Sequence, residues 1–259
     1  FNIFDNVRLS RTRIARNSFS DTDEQNVANG TPTTADPANT THRLTHKWTN
    51  ELTVKSTITP VKALMIMPKF SWNYCREKTD FHYGPLDTTA VRTSNTYEPS
   101  IFLKWKMSRV RNMDIAFAYN TTVPDLVSTL GYRNTIDPLH IYMGNPLLRN
   151  SHSHTTTYNY HRMWLRKQIV LGFTASYNKD INPEATLYSY NSATGVYTSK
   201  PMNVKGGDMW KFAFNYDQGI GFYFRLMNKF SLETAKSYGF LTIVDNNAAD
   251  AQPELNKQK

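Results

Sequence analysis

Apolar and polar residues alternate along much of the chain with the two-residue period of a β-strand that has one apolar and one polar face. The alternation is clearest in residues 43–55 and 113–120. In the second segment, Met113, Ile115 and Phe117 alternate with small or polar residues. The pattern therefore predicts amphipathic strands and an all-β fold.

The pattern predicts about nine or ten strands of roughly ten residues each, which is the length that crosses a bilayer at a tilt. The clearest of them lie at residues 2–14, 43–55, 64–74, 99–108, 113–120, 157–166, 169–177, 209–216 and 222–232. Short joins near residues 58, 111, 167 and 219 alternate with long loops. The long loops lie near residues 15–42, 76–98, 121–154, 179–207 and 234–259.

Strict alternation of short and long joins is typical of transmembrane β-barrels, in which one rim carries tight turns and the other carries long loops. We therefore predict that residues 1–259 form one segment of an antiparallel transmembrane β-barrel, with short periplasmic turns and long extracellular loops. Two of the loops have structure of their own. Residues 186–199 indicate a small hairpin that turns at 191–195, and residues 125–130 suit a single helical turn.

The mean hydropathy is −0.56, and the sequence has no run of about 18 apolar residues, which excludes a membrane-spanning helix. A transmembrane barrel is compatible with this value, because every second residue of its strands faces a polar lumen. The opposite strand faces bear polar residues such as Glu51, Lys104 and Lys211. Aromatic residues make up 13% of the chain, and five are predicted to lie at the membrane interface: Trp48, Trp72, Trp105, Trp164 and Trp210.

Lys and Arg total 30 against 21 Asp and Glu, which gives a formal charge of +9. A nucleic-acid-binding domain gathers its basic residues on one patch or helix, whereas here they are spread along strands and loops, apart from a cluster between Arg8 and Arg16. We therefore predict no nucleic-acid partner. Lining of the lumen and contact with anionic lipid headgroups remain as roles for these cations.

The sequence predicts no catalytic residue, metal site or cofactor. Cys75 is the single cysteine, which excludes an internal disulfide framework. His152 and His154 share one face of a strand but lack a third convergent metal ligand, and the acids at 21–24 lack the spacing of a calcium loop. A two-carboxylate glycosidase stays open on the sequence alone, because paired acids need only meet in space.

The long loop at 121–154 carries a succession of Pro and Gly motifs. In chain order, the loop and the segments after it read VPDL at 123–126, DPL at 137–139, GNPLL at 144–148, YNY at 158–160 and NVKGG at 203–207. This succession resembles that of outer-membrane β-barrels of the TonB-dependent receptor type, in the outer-membrane protein β-barrel family.

The Pro residues of this loop restrict the residues before them to extended geometry, and Gly144 permits a turn. We therefore expect a structured loop, which either shapes the rim of the barrel or contacts a ligand or a partner protein. The candidate residues for such contact are Asp137, Pro138, Gly144, Asn145, Pro146 and Leu147.

The resemblance implies an outer-membrane location, contact with outer-membrane lipid, and, for full-length receptors, an N-terminal plug and energised nutrient import. No plug or energy-coupling segment is recognised in the sequence, and both ends of the chain suggest a segment of a longer protein with a barrel of up to 22 strands. The rest of the same barrel, a surface lipoprotein and other envelope proteins are the candidate partners.

We therefore expect a non-enzymatic receptor or transporter barrel. Two alternatives are an accessory or scaffold barrel in an outer-membrane complex, and a secreted carbohydrate-binding β-sandwich.

Overall fold

The chain folds almost entirely into β-strands in the computed structural model, which describes residues 2–16, 41–83, 86–240, 243–244 and 253–258. The strands are β1 (Asn2–Arg16), β2 (Thr41–Lys55), β3 (Ile58–Val61), β4 (Leu64–Tyr83), β5 (Leu86–Ser108), β6 (Arg111–Thr122), β7 (Arg133–Asp137), β8 (His140–Met143), β9 (Ser151–Trp164), β10 (Ile169–Ile181), β11 (Glu184–Asn191), β12 (Val196–Asn203), β13 (Asp208–Ile220), β14 (Phe224–Phe240), β15 (Ile243–Val244) and β16 (Pro253–Gln258). No helix among the described residues is long and apolar enough to cross a membrane.

One large antiparallel sheet forms a continuous wall. Its strands follow the order β1-β2-β4-β5-β6-β9-β10-β13-β14-β16, and β3 pairs with β4 beside this path. Each strand pairs antiparallel with its neighbours. The predicted all-β antiparallel fold class is confirmed. In the described residues the wall stays open between β1 and β16, as expected of part of a barrel.

Tight turns join the strands at one end of the wall, at residues 62–63, 109–110, 165–168 and 221–223. The short join predicted near residue 58 is misplaced, because Ile58–Val61 forms β3 and pairs with β4, and the chain reverses at residues 62–63. We call the end of the wall that carries the tight turns the turn end. The opposite end, which carries the longer connections, is the loop end.

The predicted loop at 76–98 is wrong, since β4 runs to Tyr83 and β5 starts at Leu86. Most outward-facing residues of this region are polar, so the apolar alternation that indicated a membrane strand stops here, whereas the paired strands continue. The two strands stay paired from Leu64 opposite Trp105 to Tyr83 opposite Leu86. They therefore project beyond the apolar band as a long ribbon.

Residues 234–259 are also not a simple loop. Strand β14 continues to Phe240, and β16 pairs with it antiparallel. Backbone pairing along the edge of β14 needs no apolar alternation in the added strand, so the sequence pattern did not reveal it. Residues 17–40, most of the predicted loop at 15–42, and residues 245–252 lie outside the described residues.

The two faces of the wall differ in polarity. Directly paired residues point to the same side, so the pairs of Leu64 with Trp105 and Trp72 with Tyr97 define an apolar outer face. On β4 and β5 this face turns polar toward the loop end, where Arg76 pairs with Thr93. The apolar outer face of β4 and β5 therefore covers only the part of each strand that lies toward the other end of the wall.

A second sheet is built from the loop segments. Its order is β15-β11-β12-β8-β7, and it includes the predicted hairpin, here β11 and β12. The predicted helical turn is confirmed as a 3-10 turn at Val127–Thr129. Strands β12 and β8 pair in parallel through residues 197–199 and 140–142. Two long loops, from β6 to β9 and from β10 to β13, thus fold together as one unit.

Candidate functional site

The candidate site is the folded loop at residues 123–149 together with the inner wall that holds it. The second sheet joins this loop to the β11–β12 hairpin. Its contacts with β2, β4 and β5 fix it on the polar, inner face of the wall.

Asn145 links the two loops by hydrogen bonds. Its side chain is only 5% exposed. The amide Nδ2 donates to the carbonyl of Pro201 at 2.8 Å, and Oδ1 accepts from the backbone N–H of Leu147 at 3.0 Å. A buried polar side chain whose hydrogen bonds are satisfied fixes the geometry around it, because leaving either group unpaired costs free energy.

Asn203 makes the reciprocal link from the other loop. Its Oδ1 accepts from the backbone N–H of Arg149 at 2.7 Å, and its Nδ2 donates to the carbonyls of Arg149 at 3.0 Å and Asn182 at 2.8 Å. The GNP motif at 144–146 and the NVKGG motif at 203–207 are therefore parts of one junction.

Two glycines of these motifs allow close backbone approach. A Cβ on Gly144 would lie 1.7 Å from the carbonyl oxygen of Leu130, and one on Gly206 would lie 1.6 Å from that of Asp180. Only glycine fits at such separations without a backbone shift. Gly144 thus permits close packing against Leu130, whereas the turn of this motif lies at residues 146–147.

Asp137 and Pro138 lie at the exposed turn between β7 and β8. The Asp137 carboxylate accepts from the backbone N–H of Leu139 at 2.9 Å, and its other oxygen lies 2.8 Å from Nδ1 of His140. The hydrogen bond from the Leu139 N–H is the largest cause of the lowered pKa of Asp137, and the hydrogen bond with His140 is the second. This turn is stabilised locally.

An ion-pair network fastens the loop to the wall. The Arg43 guanidinium donates from Nη1 and Nη2 to the two carboxylate oxygens of Asp125, at 2.8 and 2.7 Å. Glu77 accepts from Arg92 at 2.9 Å and lies 3.9 Å from Arg43. The hydrogen bond that Arg43 donates to Asp125 is the main cause of the raised pKa of Arg43. Paired guanidinium and carboxylate groups with this geometry bind more strongly than single contacts.

An aromatic cluster above the network provides a second anchor. Phe81, Tyr83 and Val127 are buried together, with Leu130 and Tyr132 packed against them. The rings of Phe81 and Tyr132 meet edge to face at 4.9 Å. Burial raises the pKa of Tyr132 to about 12. The Tyr83 hydroxyl lies 3.0 Å from Oγ1 of Thr135.

A recess of about 510 Å³ lies on the inner face next to this network. Its lining combines charged and small polar side chains from β2, β4 and β5 with the start of the loop. They are Lys47, Thr49, Asn73, Cys75, Glu77, Arg92, Ser94, Thr96 and residues 121–125. Such a lining suits a polar or charged solute.

The structure brings Gly144, Asn145 and Pro146 into the loop junction, whereas Asp137 and Pro138 lie at the exposed turn. Leu147 is 82% exposed. Contact of these residues with a ligand or partner stays a prediction.

Sequence reasoning missed Arg43 as the loop anchor, and it missed Glu77 and Arg92 as its charged neighbours on the wall. The available signal was three charged residues on the inward faces of the strands. The loop partner of Arg43, Asp125, lies 82 residues away in the sequence.

Four of the five tryptophans form two pairs with matching spacing on the outer face. On β4, Leu64 lies opposite Trp105 and eight residues before Trp72. On β10, Ile169 lies opposite Trp164 and eight residues before Tyr177, which is the partner of Trp210. Eight residues span about 27 Å along a strand and about 20 Å across a bilayer at a tilt of about 40°.

This span is comparable with an apolar band of about 25 Å between two aromatic girdles. Trp48 also faces outward, against Tyr74 at 5.2 Å between ring centroids. The placement supports the predicted interfacial role of the tryptophans, which remains a prediction.

His152 and His154 of β9 face outward with Tyr119. Their rings lie 5.5 Å (His152) and 4.8 Å (His154) from the Tyr119 ring. In the part of the chain that the structure describes, no group of three or more His, Cys, Asp or Glu side chains is placed to hold a metal ion.

The chain is similar in structure to several solved proteins at low sequence identity. The hemophore receptor HasR of Serratia marcescens, in complex with its hemophore HasA and heme, has 8% identity and a TM-score of 0.53, over 98% of this chain and 46% of that one. The ferric enterobactin receptor PfeA of Pseudomonas aeruginosa has 10% identity and a TM-score of 0.49, over 91% and 44%. The outer membrane transporter YddB of Escherichia coli has 9% identity and a TM-score of 0.48, over 76% and 34%.

The chain thus spans one third to one half of the length of these proteins. Among proteins with curated functions, none is detectably similar to it in sequence.

The sequence profile described as "Outer membrane protein beta-barrel family" matches residues 74–256, which is well over half of the chain. The match includes the loop junction, the ribbon of β4 and β5, and most of the wall. It overturns the alternative of a secreted β-sandwich, as does the single continuous wall with an apolar outer face. The chain belongs to the outer membrane protein beta-barrel family.

Proposed function

We propose that this chain is the barrel part of an outer-membrane receptor that imports a nutrient with energy supplied through TonB, and that it carries out no chemical reaction itself. The observation that carries the proposal is the fastening of a long loop to the inner wall by the Arg43–Asp125 pair. A loop fixed at the mouth of a polar lumen is suited to contact a solute on its way inward.

The recess beside this loop supports a ligand-binding role. Its volume of about 510 Å³ falls within the range of about 300–1,000 Å³ that is usual for small-molecule sites. Lys47, Glu77 and Arg92 supply charges of both signs. A polar solute with both donor and acceptor groups fits this lining better than an apolar one.

A second candidate function, an accessory or scaffold barrel in an envelope complex, is favoured by the outer surface of the folded loops. Leu147 and Leu139 are 82% and 53% exposed, and Tyr188 and Tyr197 are also exposed there. Exposed apolar and aromatic side chains on a rigid surface suit a protein partner such as a surface lipoprotein.

The two functions are separated by a nutrient-uptake assay in three strains: the parent, a strain that lacks the gene, and a strain with inactive TonB. The first nutrients to compare are heme and ferric siderophores, because similar solved receptors bind them, followed by oligosaccharides and peptides. Import predicts that both mutant strains lose uptake of the same nutrient. Unchanged uptake of every nutrient, with loss of a co-purifying envelope protein when the gene is deleted, contradicts import and favours the scaffold role.

A further inference from the structure

A groove of about 450 Å³ crosses the outer face of the wall on the loop-end side of the apolar band. Two rows of paired residues run through it. One row joins Leu9, Trp48 and Arg76, and the next joins Arg11, His46 and Lys78. The residues of these two rows come from three neighbouring strands, β1, β2 and β4, and Val91 of β5 also lines the groove, so the groove is a property of the folded wall.

The position of the groove corresponds to the level of lipid headgroups. The apolar rows of the outer face end at Trp72 and Tyr74, and Arg76 follows on the same side of β4 two residues later, about 7 Å along the strand. Trp48 lies in the groove, 40% exposed and in edge contact with Tyr74. Tryptophan and tyrosine favour this level because their rings are amphipathic.

The groove is cationic. Arg11, Arg76 and Lys78 line it with His46, and none of the described residues that line it is acidic. The carboxylate of Asp80, outside the lining, lies 3.4 Å from Lys78 and accepts a hydrogen bond from Thr89. The two arginines form no ion pair within the described part of the chain. Guanidinium groups bind phosphate oxygens with two parallel hydrogen bonds.

We propose that this groove binds the phosphate of an outer-membrane lipid headgroup. Arg11, Arg76 and Lys78 supply the positive charge, and Trp48 supplies the apolar surface beneath it. The acyl chains of the same lipid would then continue over the apolar outer face, where Leu52 pairs with Trp72. This continuity distinguishes a lipid from a free phosphate ion.

The test uses the intact protein in a neutral detergent and measures binding by isothermal titration calorimetry. The probes are dihexanoyl phosphatidic acid, dihexanoyl phosphatidylcholine and inorganic phosphate. We expect saturable binding of the phosphatidic acid and weaker binding of the other two. The double variant R76Q/K78Q should weaken phosphatidic acid binding about tenfold or more, since each cation near a membrane surface contributes about 1 kcal/mol.

The matched control is K179Q/K236Q, which removes two outward-facing lysines on β10 and β14 near the loop end, in one row with Asp208. Phosphatidic acid binding should be unchanged in this control. Equal loss in both variants, or no preference over phosphatidylcholine, overturns the proposal. Inorganic phosphate that binds as tightly as phosphatidic acid overturns the assignment to a lipid. Folding of each variant is checked by heat-modifiable gel mobility, and R11Q replaces the double variant if that one does not fold.

Discussion

The guanidinium of Arg43 on β2 and the carboxylate of Asp125 in the long loop form a two-point ion pair, with N–O distances of 2.8 and 2.7 Å. The pair joins residues 82 positions apart and determines where the loop meets the wall. Asp125 is about half exposed, whereas Arg43 is mostly covered.

The substitution D125N should loosen the loop without unfolding the wall. Loss of a partly exposed charged pair costs about 1 kcal/mol, so hydrogen exchange of residues 126–137 should become about fivefold faster. The measurement is amide exchange by mass spectrometry in detergent. The control is D217N, which removes the carboxylate that pairs with Arg225 at the turn end. Equal acceleration in both variants would show that the Arg43–Asp125 pair has no specific effect on the loop.

The substitution N145D should loosen both loops together. It replaces the donor to the Pro201 carbonyl with a carboxylate oxygen, in a site that is almost fully buried. We expect a loss of about 2–3 kcal/mol in local stability and faster exchange in residues 196–203 as well as 126–149. The control is L147A, which changes a mostly exposed residue of the same motif. It should leave the exchange rates of both loops unchanged. Acceleration confined to the substituted loop would contradict the proposed junction.

A lysine on the outer face should be costly only within the apolar band. Ile101 pairs with Pro68 between the rows of Trp105 and Tyr97, whereas Thr89 pairs with Asp80 beyond the band. I101K should lower the free energy of unfolding by about 2–4 kcal/mol, and T89K by about 0–1 kcal/mol. Reversible urea unfolding in lipid vesicles measures both. Similar losses of unfolding free energy at the two positions would contradict the location of the apolar band that the strand register indicates.

Tyr132 should make the loop sensitive to alkaline pH. Burial raises its pKa to about 12, against about 10 in an unfolded chain. Because the folded state favours the neutral phenol, the contribution of Tyr132 to stability is complete below about pH 10 and is lost as the pH rises from about 10 to about 12.

Absorbance at 295 nm, compared between the native protein and Y132F, should show a phenol that ionises near pH 12. Y188F, which changes an exposed tyrosine of the β11–β12 hairpin, should keep this phase. A difference spectrum centred near pH 10 would contradict the burial of Tyr132.

The predicted strands of the wall are present because period-2 alternation between lipid and lumen constrains every residue of a membrane strand. The ribbon at 76–98 was missed for the same reason. Above the band both faces meet water or the folded loop, so Arg76 and Lys78 follow Trp72 and Tyr74 on one outer face without any break in backbone pairing.

The loop motifs were identified from the sequence, but their contacts with each other were not. The contacting residues are far apart in the sequence, and the paths of the segments between them depend on the whole wall. Examples are the pairs Asn145 with Pro201 and Arg43 with Asp125. Nothing in the local pattern of either residue specifies its partner.

The amino-acid pattern was enough to predict the strands within the apolar band, their inward and outward faces and a structured loop at 123–149, because proline, glycine and alternating polarity act over a few residues. The folded chain was needed to show that two loops form one sheet, that Arg43 holds the loop at 123–149 to the wall, and that Arg11, Arg76 and Lys78 meet on one outer surface. Those relationships depend on strand register, which brings distant residues together through backbone hydrogen bonds common to all side chains.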